Sequence, residues 1–132
     1  MLDIRRTTTA GMERPAAPED DCWLHVVAAT PADLDAVAAF GVPRSLLDHV
    51  GDAEERPRVE HAADCVLVVL QYPARRAAAA ASPWETLPVS VITTPRGVVT
   101  LAHEPVALLQ PLLDGSANGL STARPAEFVL HV

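Results

Sequence analysis

The chain has 132 residues, 49% of them hydrophobic, which suits a single domain with one real core. Ten arginines against seventeen acidic residues leave a net charge of −7, which repels a phosphate backbone. With no lysine anywhere, Walker-type phosphate binding, a Schiff base and the usual kinase arrangement all lack their ammonium group.

No apolar run approaches the ~20 residues of a bilayer-spanning helix, and the longest is Val66-Leu67-Val68-Val69-Leu70. Charge follows at once in Met1-Leu2-Asp3-Ile4-Arg5-Arg6, so the start does not read as an export signal. Leu2 to Thr8 is predicted as a first strand, Ala10 to Asp21 as an exposed loop rich in Gly, Pro and acids, and Cys22 to Ala28 as a second strand. Thr30-Pro31-Ala32-Asp33 supplies an N-cap, a first-turn proline and an acid at the positive end of the dipole. The helix it starts should turn Leu34, Val37 and Ala38 inward and close at Gly41. Pro43 is predicted to restart a helix with Leu46, Leu47 and Val50 inward, ended by Gly51.

Asp52-Ala53-Glu54-Glu55-Arg56-Pro57 is a charged connection into two strands, Arg58 to His61 and Cys65 to Tyr72, around Ala62-Ala63-Asp64. The second of these is apolar at odd and even positions alike, which places it mid-sheet, covered on both faces. Pro73 to Pro83, including Arg75-Arg76 and Ala77 to Ala81, is expected to be a surface loop. Leu87 to Thr94 and Val98 to His103 form a hairpin on Pro95-Arg96-Gly97. Glu104-Pro105 opens a helix with Val106, Leu109 and Leu112 or Leu113 inward, bent or broken at Pro111. After a polar loop from Gly115, Thr122 is expected to cap a last helix that stops without closing residues and so reads as truncated. Its stripe Phe128, Val129 and Val132 should then be exposed.

Several residue sets invite a chemical reading. Cys22-x2-His25 with His61-x3-Cys65 has the composition of a zinc site, but residues 22 and 25 are an odd number apart and point to opposite faces of a strand. Cys65 with His61 or His103 as base is the best nucleophile candidate, yet Cys65 opens an apolar strand, where thiols are buried and inert. Asp20, Asp21, Asp52 and Glu54 are read as solvated, and Glu55, Arg56, Arg58 and Glu60 as a salt-bridged entry into a strand. Trp23, Trp84 and Tyr72 are read as packing groups, not stacking platforms for nucleic acid. No catalytic, cofactor or metal-binding residue is assigned, and the chain is read as not an enzyme.

Trp23, then Thr30-Pro31, then Asp52, Glu55-Arg56-Pro57-Arg58 and Glu60, then an apolar strand and a hairpin, resemble the N-terminal cytoplasmic domain of CorA-type magnesium and cobalt transporters. The resemblance runs from about Trp23 onward and rests mostly on residues 52 to 60. It implies one domain over 1–132: a three-layer α/β/α fold with a central mixed, largely antiparallel sheet and short flanking helices. It further implies a long helix, two membrane helices and a Gly-Met-Asn tripeptide beyond the present chain. Gly11-Met12-Glu13 is not that tripeptide. By the same resemblance the domain would sit on the cytoplasmic side of the inner membrane, in a homopentamer of copies of itself. No cofactor is held tightly, and Mg2+ at subunit interfaces would favour the closed channel; which carboxylates hold it is left open. A free-standing intracellular binding module of the same fold is the alternative, and a thiol hydrolase using Cys65 a third reading.

Overall fold

The structure, a computed structural model, describes residues 1–76 and 81–132. Strands β1 (Leu2–Thr8), β2 (Gly11–Glu13), β3 (Cys22–Val27), β4 (Arg58–Ala62), β5 (Cys65–Arg75), β6 (Trp84–Thr94) and β7 (Gly97–Ala102) form one sheet in the order β2-β1-β3-β7-β6-β5-β4. β3 pairs with β7 in parallel and every other neighbour is antiparallel, so the sheet is mixed and largely antiparallel as expected. Both strands of the parallel joint are buried throughout, as a strand covered on two faces must be.

Alternation sorts the side chains into two cores. Cys22, Leu24 and Val26 of β3 meet Cys65, Leu67, Val69, Ile92, Val99 and Leu101 on one face. Helix α1 (Pro31–Ala39) covers that face with Val37, helped by Phe40, Val42, Leu46 and Leu47. The helix begins where the sequence predicts: Thr30 Oγ1 accepts the Asp33 N–H, and Asp33 Oδ2 accepts the Thr30 N–H. Its carboxyl stays below the usual carboxylate range because it accepts the Thr30 backbone N–H and the terminal ammonium of Met1. On the other face Trp23, Val89, Val91, Val98 and Ala102 pack under Val106, Leu109, Leu112, Leu113 and Phe128. These come from a 3-10 turn (Ala107–Leu109) running into α2 (Gln110–Leu113), and from α3 (Pro125–Phe128). The three layers are therefore present, with the second helical layer made of single turns.

Six expectations are corrected. The helix after Pro43 is only a 3-10 turn, Arg44–Leu46, because Pro43 is held extended and no side chain caps the turn; Leu46 and Leu47 are buried all the same. The predicted loop from Ala10 contains β2, which folds back on β1. The loop predicted at Pro73–Pro83 is much shorter, since β5 runs to Arg75 and β6 starts at Trp84 with those two residues paired; Ala77–Ala80 of that prediction lie outside the described residues. β5 is next to the β4 edge, not mid-sheet: Cys65, Leu67 and Val69 are buried, while Val66, Val68 and Leu70 on the other face are half-buried, because the helical turns after Val106 sit over β6 and β7. Finally, Thr122 caps nothing. It is fully buried and exchanges hydrogen bonds with Thr7, each backbone N–H donating to the other's hydroxyl at 2.9 Å. Phe128 is likewise fully buried, edge-on to Trp23 at 5.0 Å, and Val129 and Val132 are half-buried against the same core, so the predicted stripe is not exposed; Leu130 beside it is.

Candidate functional site

The stretch from His49 to Glu60 forms a charged turn at the β4 edge of the sheet. Asp52 shapes it: its carboxylate accepts the Glu54 N–H at 3.0 Å and its carbonyl accepts the Glu55 N–H at 3.3 Å, the local bonding that suits Asp to turns. Pro57 then sets an extended entry into β4. Strand alternation puts Arg58 and Glu60 on the same face as Leu67 and Val69, toward the core that α1 covers.

Arg58 is the centre of the cluster. Its Nη2 donates to Glu55 Oε1 at 3.0 Å and its Nε to Glu60 Oε1 at 2.8 Å. These two carboxylates raise its guanidinium above the ordinary arginine range. Glu60 and Arg58 keep solvent contact, but the Glu55 side chain is only 2% exposed. Gln71 of β5 reaches in and donates its amide to the Glu55 carbonyl at 2.6 Å. Glu55 Oε2 has no partner; with the Tyr72 hydroxyl it is one of two buried side-chain polar atoms so placed among the described residues. An acid read from sequence as a solvated partner is thus a buried, half-satisfied one. Its sequence signal is slight, an acid three residues before an arginine at a strand entry, and nothing at Glu55 itself separates buried from exposed.

A hollow of about 390 Å3 opens beside this turn, lined by His49, Asp52, Glu54, Glu55, Arg56 and Arg58. On the other side of the turn Ala53 borders a second hollow of about 530 Å3. There Arg76 pairs with Glu85 and, at 3.3 Å, with Glu104, next to His103. Among the described residues no three His, Cys, Asp or Glu side chains converge closely enough to chelate one ion. A hydrated Mg2+, which retains most of its waters and takes one or two carboxylates, is compatible with such spacing.

The remaining candidates are dispersed. Asp20 is paired with Arg96 at 2.7 Å, and Asp21 has a left-handed backbone (φ 63°) with its N–H donating to the Arg96 carbonyl at 2.7 Å. Cys22 and Cys65 face the first core, where burial raises both thiols, while His25 faces the opposite side and His61 is exposed on β4. The zinc set is not brought together. Cys65 Sγ lies 3.5 Å from the Gly41 carbonyl, His61 is on the other face of β4, and His103 follows β7 at the opposite end of the strands, so neither histidine is placed as its base. Trp23 is fully buried as expected, Trp84 is an exposed rim residue and Tyr72 is half-buried.

No helix among the described residues is long and apolar enough to cross a membrane. No curated protein matches the chain. Among solved structures, the cytoplasmic domain of ZntB from Vibrio parahaemolyticus is similar with a TM-score of 0.70 at 17% identity, over 95% of this chain and 53% of that one. The soluble domain of CorA from Methanocaldococcus jannaschii gives a TM-score of 0.70 at 16% identity, over 99% and 53% of the two chains. Full-length CmaX gives 0.67 at 21% identity, over 98% and 42%. These identities establish the shared fold, and this chain spans about half of each of the two soluble domains. A model of the CorA-like Mg2+ transporter protein family matches residues 19–132, nearly the whole chain. The chain belongs to the CorA-like Mg2+ transporter protein family.

Proposed function

We propose that this chain is the cytoplasmic, ion-responsive domain of a divalent-cation transporter, of the Mg2+ and Co2+ class. The observation that carries the reading is the family match across residues 19–132, which includes the charged turn at Asp52–Glu60. In this role the domain binds no tight cofactor. It associates with other copies of itself in a homopentamer, and hydrated Mg2+ held between acids of neighbouring copies favours the closed channel. The physical basis is modest charge density: Asp52 and Glu54 are exposed, and a hydrated cation recruits one or two such carboxylates from each side of an interface. Contact with the membrane comes only through helices beyond Val132.

Reading the native frame past the codon for Val132 tests this. Two apolar spans of about 20 residues and a Gly-Met-Asn tripeptide are expected. A stop codon close to Val132 would overturn the transporter reading and leave a free-standing binding module of the same fold.

A further inference from the structure

The parallel joint between β3 and β7 carries a buried polar chain. The Trp23 indole N–H donates to Thr100 Oγ1 at 2.8 Å, and His25 Nδ1 lies 2.7 Å from the same oxygen. Donor counting fixes the protonation. An indole nitrogen only donates, so the hydroxyl's own proton has one destination among its partners, His25 Nδ1. His25 is therefore the neutral imidazole with its proton on Nε2. In the cation, Trp23 and His25 would both donate into the hydroxyl, and the hydroxyl proton, on a fully buried residue, would have no acceptor.

Asp3 of β1 is the register partner of His25, on the same face. Arg5 holds Asp3 through Nε at 3.1 Å and Nη2 at 2.9 Å, and donates Nη1 to the Leu113 carbonyl at 3.0 Å. Arg14 adds a contact to Asp3 at 3.2 Å. Arg5 is thus a tether between β1 and the helical segment on this face. The charges that act on the His25 ring are Asp3, which favours its cation, and Arg5, which opposes it. β7 presents the uncharged Thr100, and the helical segment packed on this face presents Leu109, Leu112, Leu113 and Phe128.

We propose that this cluster is an acid-triggered release: a proton taken up at His25 Nδ1 breaks its bond to Thr100 and draws Asp3 away from Arg5, freeing the Leu113 carbonyl and loosening segment 106–132. Burial lowers His25 from 6.5 to about 4, so the clasped form holds near neutrality and release belongs to acid. This inference does not depend on the transport reading.

The test follows His25 ring protons by NMR on the full chain from about pH 7 to about pH 3.5, together with amide exchange in the helical segment. His25 should protonate at least about one unit below a free imidazole. Across the same step, protection at Leu109 and Asp114, whose N–H groups bond the Val106 and Gln110 carbonyls, should fall at least about tenfold once each rate is divided by the intrinsic amide rate at that pH. His25→Asn accepts the Thr100 proton without titrating and should abolish the step. Asp3→Asn removes the group that favours the cation and also undoes the clasp on Arg5, so it should move His25 protonation to lower pH while segment 106–132 is already less protected near pH 7. Protection that stays constant while His25 protonates would overturn the proposal, as would the same loss of protection persisting in His25→Asn. If that variant does not fold, unchanged protection at Leu109 and Asp114 near pH 7 in Asp3→Asn overturns it.

Discussion

Replacing Arg58 by Met separates a buried carboxylate from an ordinary surface ion pair. The Glu55 side chain is 2% exposed and Arg58, itself 28% exposed, is its one side-chain partner among the described residues. Removing the guanidinium strands the carboxylate, a change that costs about 3–5 kcal/mol at fully buried sites. The partial exposure of Arg58 puts the expected loss at the low end, about 3 kcal/mol. In a domain of this size each kcal/mol lowers the melting temperature by roughly 3 °C, so R58M should melt roughly 10 °C lower. Glu55→Gln keeps an acceptor for Arg58 and replaces the unpartnered oxygen with an amide, so it should cost about 1 kcal/mol or less. The double variant E55Q/R58M should recover about 2 kcal/mol relative to R58M, since no charge is left buried. Urea unfolding followed by the fluorescence of buried Trp23 measures all three. A loss within about 0.5 kcal/mol for R58M, as for exposed pairs, would refute the argument by showing that water already solvates Glu55.

Thr122→Val leaves the Thr7 N–H without its acceptor, while the Thr7 hydroxyl keeps the residue-122 N–H, and should cost about 1–2 kcal/mol in the same assay. Gly97→Ala would put a methyl 2.1 Å from the Cys22 carbonyl oxygen; the parallel joint must part to admit it, so the soluble yield should fall sharply, and by far more than for Gly119→Ala, which meets only the strain of a left-handed φ of 79° with the His131 ring at 3.9 Å. Phe128→Ala should cost about 3–5 kcal/mol, where an exposed stripe would have cost little. Neutral His25 contributes stability that is complete above about pH 6.5 and is lost as pH falls toward about 4, at most about 3 kcal/mol; urea midpoints at pH 7 and pH 4.5, compared between the natural chain and His25→Asn, give the sign and size.

Local chemistry made much of the fold legible. Thr30-Pro31-Ala32-Asp33 defines its helix start through groups three residues apart, and Pro95-Arg96-Gly97 its hairpin, so neither needed tertiary context. What stayed hidden was decided by contacts far along the chain. Val66, Val68 and Leu70 read as a covered strand face, but whether a face is covered depends on how far the turns after Val106 reach. Thr122 has the chemistry of a cap, yet Thr7, 115 residues away, claims its hydroxyl. At the candidate site the motif residues were found, and the parity of Cys22 and His25 correctly separated the zinc set. The burial of Glu55 was not, because it arises from Gln71 and Arg58 closing over the turn from two strands.

The ion-responsive role is tested most directly by titrating the chain with MgCl2 against NaCl of matched ionic strength, with backbone NMR as the readout. A saturable, millimolar shift centred on His49–Glu60, weakened by Asp52→Asn with Glu54→Gln and not reproduced by Na+, is the predicted result. Shifts at that turn indistinguishable from the NaCl control up to tens of millimolar would contradict it.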